Sequence, residues 1–124
     1  MEFIDKHIIS RSTRAIKCLY LNSNFYQEIQ VSGLSAEMVF AMKDKYVTDF
    51  LFEPINDKAV ENNFLWLIKI GILRREVDGQ GLTSKVRITP LGRNILKNNP
   101  GLPNQKASII ELITNWIFRQ FVIK

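Results

Sequence analysis

One cysteine and one histidine in 124 residues leave little room for two kinds of chemistry. Cys18 alone cannot close an intramolecular disulfide, which fits a reducing cytoplasm. Cys18 and His7 together fall short of the roughly four Cys/His ligands of a structural zinc site, so neither metal nor cofactor is expected. No phosphate-binding loop, dinucleotide fingerprint or metal-ligand spacing occurs. His7 has no Ser or Cys partner implied by spacing, and Cys18 reads as a small core residue rather than a nucleophile. The chain therefore does not read as an enzyme. Long apolar runs are lacking too. The N-terminal MEFIDKHIIS carries acids and does not resemble a signal peptide. The most apolar window, 109–124, is interrupted by Glu111, Asn115, Arg119 and Gln120, too polar and too short to span a bilayer. A soluble cytoplasmic protein that does not enter a membrane is expected.

What is present suits one globular domain: 46% hydrophobic and 23% charged residues, in a length able to bury a core. Its charge is unevenly placed. The net +5 conceals −3 over residues 34–64 and +5 over residues 65–97. Concentrated positive charge favours a polyanionic partner, whereas the acidic run from Glu37 to Glu61 suits a protein partner.

Local signals divide the chain into elements. Helical periodicity begins near Ser10 or Ser12 behind an N-terminal arm, with Ala15, Ile16, Leu19 and Tyr20 on one face, and ends at Asn22-Ser23-Asn24. Phe25, Ile29 and Val31 alternate with polar residues, which predicts a short strand or extended connection. A second helix opens at Ser35; its far end is ambiguous within 36–53, because VTDFLFEP is rich in strand formers, and Pro54 stops it. The third helix is capped by Asn56 or Asp57 and closed by Gly71. Its buried stripe is Val60, Phe64, Leu67 and Ile68, with Lys58, Asn62 and Lys69 opposite, flanked by Leu65 and Trp66. Two strands follow, 72–77 and 85–89, joined by Asp78-Gly79-Gln80-Gly81. Thr89 caps the next helix, with Pro90 at its first position. A last helix runs from about residue 104 to the end.

The segment from Leu67 through Gly71 to Leu73, then Arg74-Arg75, the turn and RITPLGRNIL, resembles the winged-helix transcriptional regulators of bacteria, of the MarR and PadR kind. The resemblance covers roughly a third of the chain closely and another third loosely. The long connection from Tyr46 to Ile55 departs from the tight turn usual between the second and third helices of that family. The chain is also similar, through no particular motif, to small cyanobacterial winged-helix proteins linked to heterocyst differentiation. The fold class implied is α+β: a winged helix-turn-helix of about five helices with a two- or three-stranded antiparallel wing sheet. Residues 1–103 would form that domain with its N-terminal arm, and 104–124 a C-terminal dimerisation helix packed into the same structural domain.

The resemblance implies a sequence-specific, double-stranded DNA-binding regulator whose third helix enters the major groove and whose wing follows a phosphate backbone. Asn62 is the candidate base reader, since its amide matches adenine. Lys58 and Lys69 reach phosphates or guanine, with Glu61 at the edge of that face as a repulsive group. On the wing the candidates are Arg74, Arg75, Lys85 and Arg87, with Gln80 at the tip; alternation sends Arg74 and Arg75 to opposite faces. Edge strands also carry such cations merely to resist aggregation. Arg93 and Lys97, one turn apart after the wing, add phosphate contacts or complement their helix end. On the terminal helix, Ile109, Leu112, Ile113, Trp116, Ile117 and Phe121 exceed what one core face needs, which predicts a homodimer. The alternative is that the first helix covers them, with Phe25 and Tyr26 beside it. An interaction module without DNA binding is the other functional reading. Aromatic residues such as Trp66, Trp116 and Phe25 suit a core more than a small-molecule pocket.

Overall fold

The computed structural model describes residues 2–48, 55–99, 101–104 and 109–123. Among these the fold is α+β, with seven α-helices and a two-stranded antiparallel sheet. Helix α1 (Glu2–Cys18) starts well before Ser10, so the expected N-terminal arm is helical. Ser12 interrupts the apolar pattern there, yet it is buried on the same side as Ala15, Ile16 and Leu19.

In place of the expected short strand or extended connection at 25–31, the chain forms helix α2 (Ser23–Glu28) and a turn after it. Asn22 starts it rather than merely ending α1: its side-chain oxygen accepts the Phe25 amide at 3.1 Å. Phe25, Tyr26 and Ile29 are all buried, at helical spacing, while Val31 is 75% exposed. Ser35 caps α3 (Ala36–Ala41) as its position suggests, accepting from the Met38 amide. The ambiguous second helix resolves into two, because Met42 leaves helical geometry (φ −117°, ψ 38°) before α4 (Lys43–Tyr46). Val47 then forms an isolated antiparallel bridge with Leu21. Residues 49–54 of that strand-rich segment, Pro54 included, lie outside the described residues.

Helix α5 (Asp57–Lys69) follows its sequence signals closely. Asn56, not Asp57, is the cap, accepting the Ala59 amide at 2.7 Å. At the other end Gly71 takes φ +90°, and the amides of Gly71 and Ile72 reach back to the carbonyls of Ile68 and Leu67. Those two bonds satisfy carbonyls that the end of a helix otherwise leaves open. Strands β1 (Leu73–Asp78) and β2 (Gly81–Ile88) pair antiparallel around Gly79-Gln80, with Gly81 at φ +117°. The register runs Leu73↔Ile88, Arg74↔Arg87 and Arg75↔Val86, then slips between Arg75 and Val77. Leu34 forms a bridge with Val86, exchanging both amide–carbonyl bonds, so a single residue takes the place of a third strand.

Thr89 ties these pieces together. Its hydroxyl donates toward the carbonyls of Gly71 and Ile72 and accepts the Gly92 amide, capping α6 (Pro90–Asn98). Gly92 is required by close approach: a Cβ there would meet the Ile72 carbonyl oxygen at 2.7 Å and Ile88 Cγ1 at 2.9 Å. Gly92→Ala is therefore expected to destabilise by about 1–3 kcal/mol, read from urea denaturation midpoints at unchanged m-value.

A 3₁₀ turn (Leu102–Asn104) occupies the expected start of the last helix, and α7 (Ile109–Ile123) begins later. The core joins α1, α2, α5 and the base of the sheet, with Phe25 stacked on Phe64 at 5.6 Å. Trp66 is fully buried rather than flanking the polar face of α5. Its indole N–H donates to Asn115 Oδ1 of α7 at 3.2 Å, and Lys17 of α1 pairs with Glu111 at 3.0 Å. Thus α7 turns polar side chains inward to α5 and α1. No described helix is long and apolar enough to cross a membrane.

Candidate nucleic-acid interface

Two faces of α5 have opposite characters. Val60, Phe64 and Leu67 fill the core. Lys58, Asn62, Leu65 and Lys69 are all exposed, and their i, i+4, i+7, i+11 spacing draws one stripe along the outward side. Between the faces lies Glu61, whose carboxylate is held by the Arg75 guanidinium. Arg75 also donates to the Ser84 carbonyl at 2.7 Å. The carboxylate that would repel phosphates is thereby matched, and so is the arginine.

Alternation on the hairpin separates the wing cations as expected. Arg75 turns toward α5, while Arg74, Lys85 and Arg87 share the other face by register. Only part of that group is free for a partner. Arg87 donates to the carbonyls of Ile29 and Gln30 at 2.9 and 3.0 Å, closing the end of α2, and lies 3.8 Å from Glu76. Arg75 and Arg87, both expected to reach phosphates, are thus engaged by the chain's own oxygens. Arg74 and Lys85 remain exposed. The hairpin tip carries no cation: Val77, Asp78, Gln80 and Leu82 are exposed there, and Asp78 accepts the Gln80 amide at 2.7 Å.

Lys58 has acidic company. Glu37, Asp57 and Glu61 line the same cleft of about 490 Å³, which also touches Ser35 and Ser84. The start of the stripe is therefore electrostatically mixed. Arg93 is exposed on α6, beside α2 and away from this cleft.

The terminal helix presents its surplus apolar surface outward. Ile110, Ile113, Trp116 and Ile117 are 76%, 53%, 62% and 41% exposed, while Leu112 is half-buried. The side chains of Ile109 and Phe121 lie outside what the structure describes. Helix α1 does pack on α7, as the alternative reading held, yet it leaves this stripe open. Phe25 and Tyr26 belong to the core around Phe64.

Among the described residues no group of three or more His, Cys, Asp or Glu side chains is placed to hold a metal ion. Burial, with the Glu111 carboxylate second, pushes the Cys18 thiol from 9.0 up to about 11. Iodoacetamide should accordingly label Cys18 at pH 8 far more slowly in the folded chain than in urea. Between pH 9.0 and about 11 the unfolded thiol is ionised and the folded one is not, so folding stability should fall across that window.

Compared with known proteins, residues 3–119 match the profile of a family described as Npun_F0494-like, a description that names no activity or partner. No curated protein and no solved structure matches.

Proposed function

We propose that this chain, which belongs to the Npun_F0494-like family, is a winged helix-turn-helix regulator that holds double-stranded DNA as a homodimer. The observation that carries the reading is the exposed stripe Lys58–Asn62–Leu65–Lys69 on a helix whose opposite face is core. Helix α5 would lie in the major groove, with Asn62 reading adenine, Leu65 against a thymine methyl, and Lys58 and Lys69 at phosphates or guanine. Arg74 and Lys85 supply further phosphate contacts, and Gln80 extends the hairpin toward the neighbouring groove. The α3–α5 pairing, the β1–β2 hairpin and the Leu34 bridge support a winged helix. Pairing of two α7 stripes would cover Ile113 and Trp116 and set two copies of α5 on a two-fold site. Fluorescence-anisotropy titration with genomic fragments tests this; absence of binding even at low salt would sink it.

A second reading, a protein-interaction module on the same fold, draws on the other side of α3. Met38 and Met42 are 40% and 48% exposed, an apolar patch whose exposed charged chain neighbours are Glu37, Lys43, Asp44 and Lys45. Affinity purification that recovers a stoichiometric protein partner, retained by a variant lacking the exposed cations, would favour it.

A further inference from the structure

Helix α2 meets α6 across a cleft of about 440 Å³, bounded at one side by Pro103 of the 3₁₀ turn. That volume suits a small organic molecule. Its lining is unlike that of the cleft near Lys58. Arg93 and Lys97, one turn apart on α6, are both exposed, and no carboxylate lines the cleft among the described residues. Glu28, the acid on α2, is engaged by the Ser32 hydroxyl. Apolar surface comes from Leu96 and Pro103, and a further amide from Gln30.

Tyr26 makes this more than a basic groove. The residue is 1% exposed and lines the cleft, while its phenol oxygen is buried with no hydrogen-bond partner among the described residues. Buried hydroxyls are nearly always satisfied, and an exception calls for a partner from elsewhere. Burial also raises the phenol's pKa, so the group stays protonated and has a proton to donate.

The geometry points to a binding site for a small organic anion: a carboxylate or phosphate held by Arg93 and Lys97, an acceptor atom bonded by Tyr26, and an apolar body against Leu96 and Pro103. The site stands apart from the α5 stripe and does not rest on the DNA reading. Its anion would be recognised by charge and by the phenol together, which a merely basic surface would not achieve.

Isothermal titration of the full chain with benzoate, phenyl phosphate and uncharged benzyl alcohol, at fixed ionic strength and without DNA, tests the assignment. Saturable binding of at least one anion at about millimolar or tighter affinity is expected, with benzyl alcohol about tenfold weaker or more. The pair R93Q/K97Q should weaken the anion about tenfold or more, and Tyr26→Phe about three- to tenfold without lowering the melting temperature. Amide shifts on adding the anion to the wild-type chain should centre on residues 23–30 and 93–103. Failure of both anions to bind would overturn the proposal. Equal binding of benzyl alcohol, an unaffected R93Q/K97Q variant, an affinity unmoved by Tyr26→Phe, or shifts centred elsewhere would do the same.

Discussion

Changing Lys58, Lys69, Arg74 and Lys85 together to glutamine is expected to cost about a hundredfold in DNA affinity per protomer at moderate salt. The slope of log K against log salt should flatten by about one for every phosphate no longer neutralised. All four side chains are exposed, so the variant should melt close to wild type. Arg75→Gln and Arg87→Gln should behave in the opposite way. Arg75 is committed to Glu61 and Ser84, and Arg87 to the carbonyls that end α2. Their loss should reduce stability, by about 1–3 kcal/mol for Arg87, whose carbonyl partners would be left without that donor. The salt slope should barely move. Anisotropy titrations across a salt series, paired with thermal melts, separate the two classes. If the quadruple variant binds as wild type does, α5 is not a DNA-reading helix.

The second large effect is expected at α7. Ile113→Asp with Trp116→Asp should convert a dimer into a soluble monomer, seen by sedimentation equilibrium, with the helical circular dichroism retained. Each large apolar side chain removed from water contributes about 1.5–3 kcal/mol, so placing two charges in that seam outweighs any rearrangement of its rim. DNA affinity for a two-fold site should then fall by about 10²–10⁴, because the second half-site is no longer bound at high effective concentration. A wild-type chain that sediments as a monomer at high micromolar concentration would end the dimer reading. The inward contacts make the result interpretable: Asn115 and Glu111 anchor α7 to Trp66 and Lys17 whether or not the outer stripe is covered.

The parts legible in the sequence were those set by local backbone chemistry. Asn56, Gly71, the Gly79–Gly81 turn and Thr89-Pro90 each satisfy or bend the chain at one place, and α5, the hairpin and α6 follow from them. Elements decided by tertiary packing were not legible. Phe25, Ile29 and Val31 alternate like a strand, but Tyr26 is buried between them and the Asn22 cap makes a helix. Ser12 hides the apolar face of α1 in the same manner, since burial there ignores polarity. The cleft against α6 was not legible either, because it depends on the helical turn that brings Ser23, Tyr26 and Gln27 to line it.

Charge could be counted from the sequence, but whether it was already engaged by the protein itself could not. Of the four wing cations, Arg75 and Arg87 are tied to oxygens of other elements, while Arg74 and Lys85 stay exposed, Arg74 reaching only its neighbour's carbonyl at 3.5 Å. What the fold leaves exposed is the outward stripe of α5, electrostatically mixed where Lys58 meets Glu37, Asp57 and Glu61, together with Arg74 and Lys85 on the hairpin.

The Thr89 hydroxyl spans the point where the chain enters the hairpin and the point where it leaves. The outgoing end is bonded through Thr89 to the Gly71 and Ile72 carbonyls of the incoming end, so the base of the hairpin is closed far from Gly79-Gln80. Extra residues at the tip would add loop-closure entropy that grows only by about 0.6 kcal/mol per doubling in length. The hairpin is thus a place where reach can change over evolutionary time while α5 and α6 keep their positions.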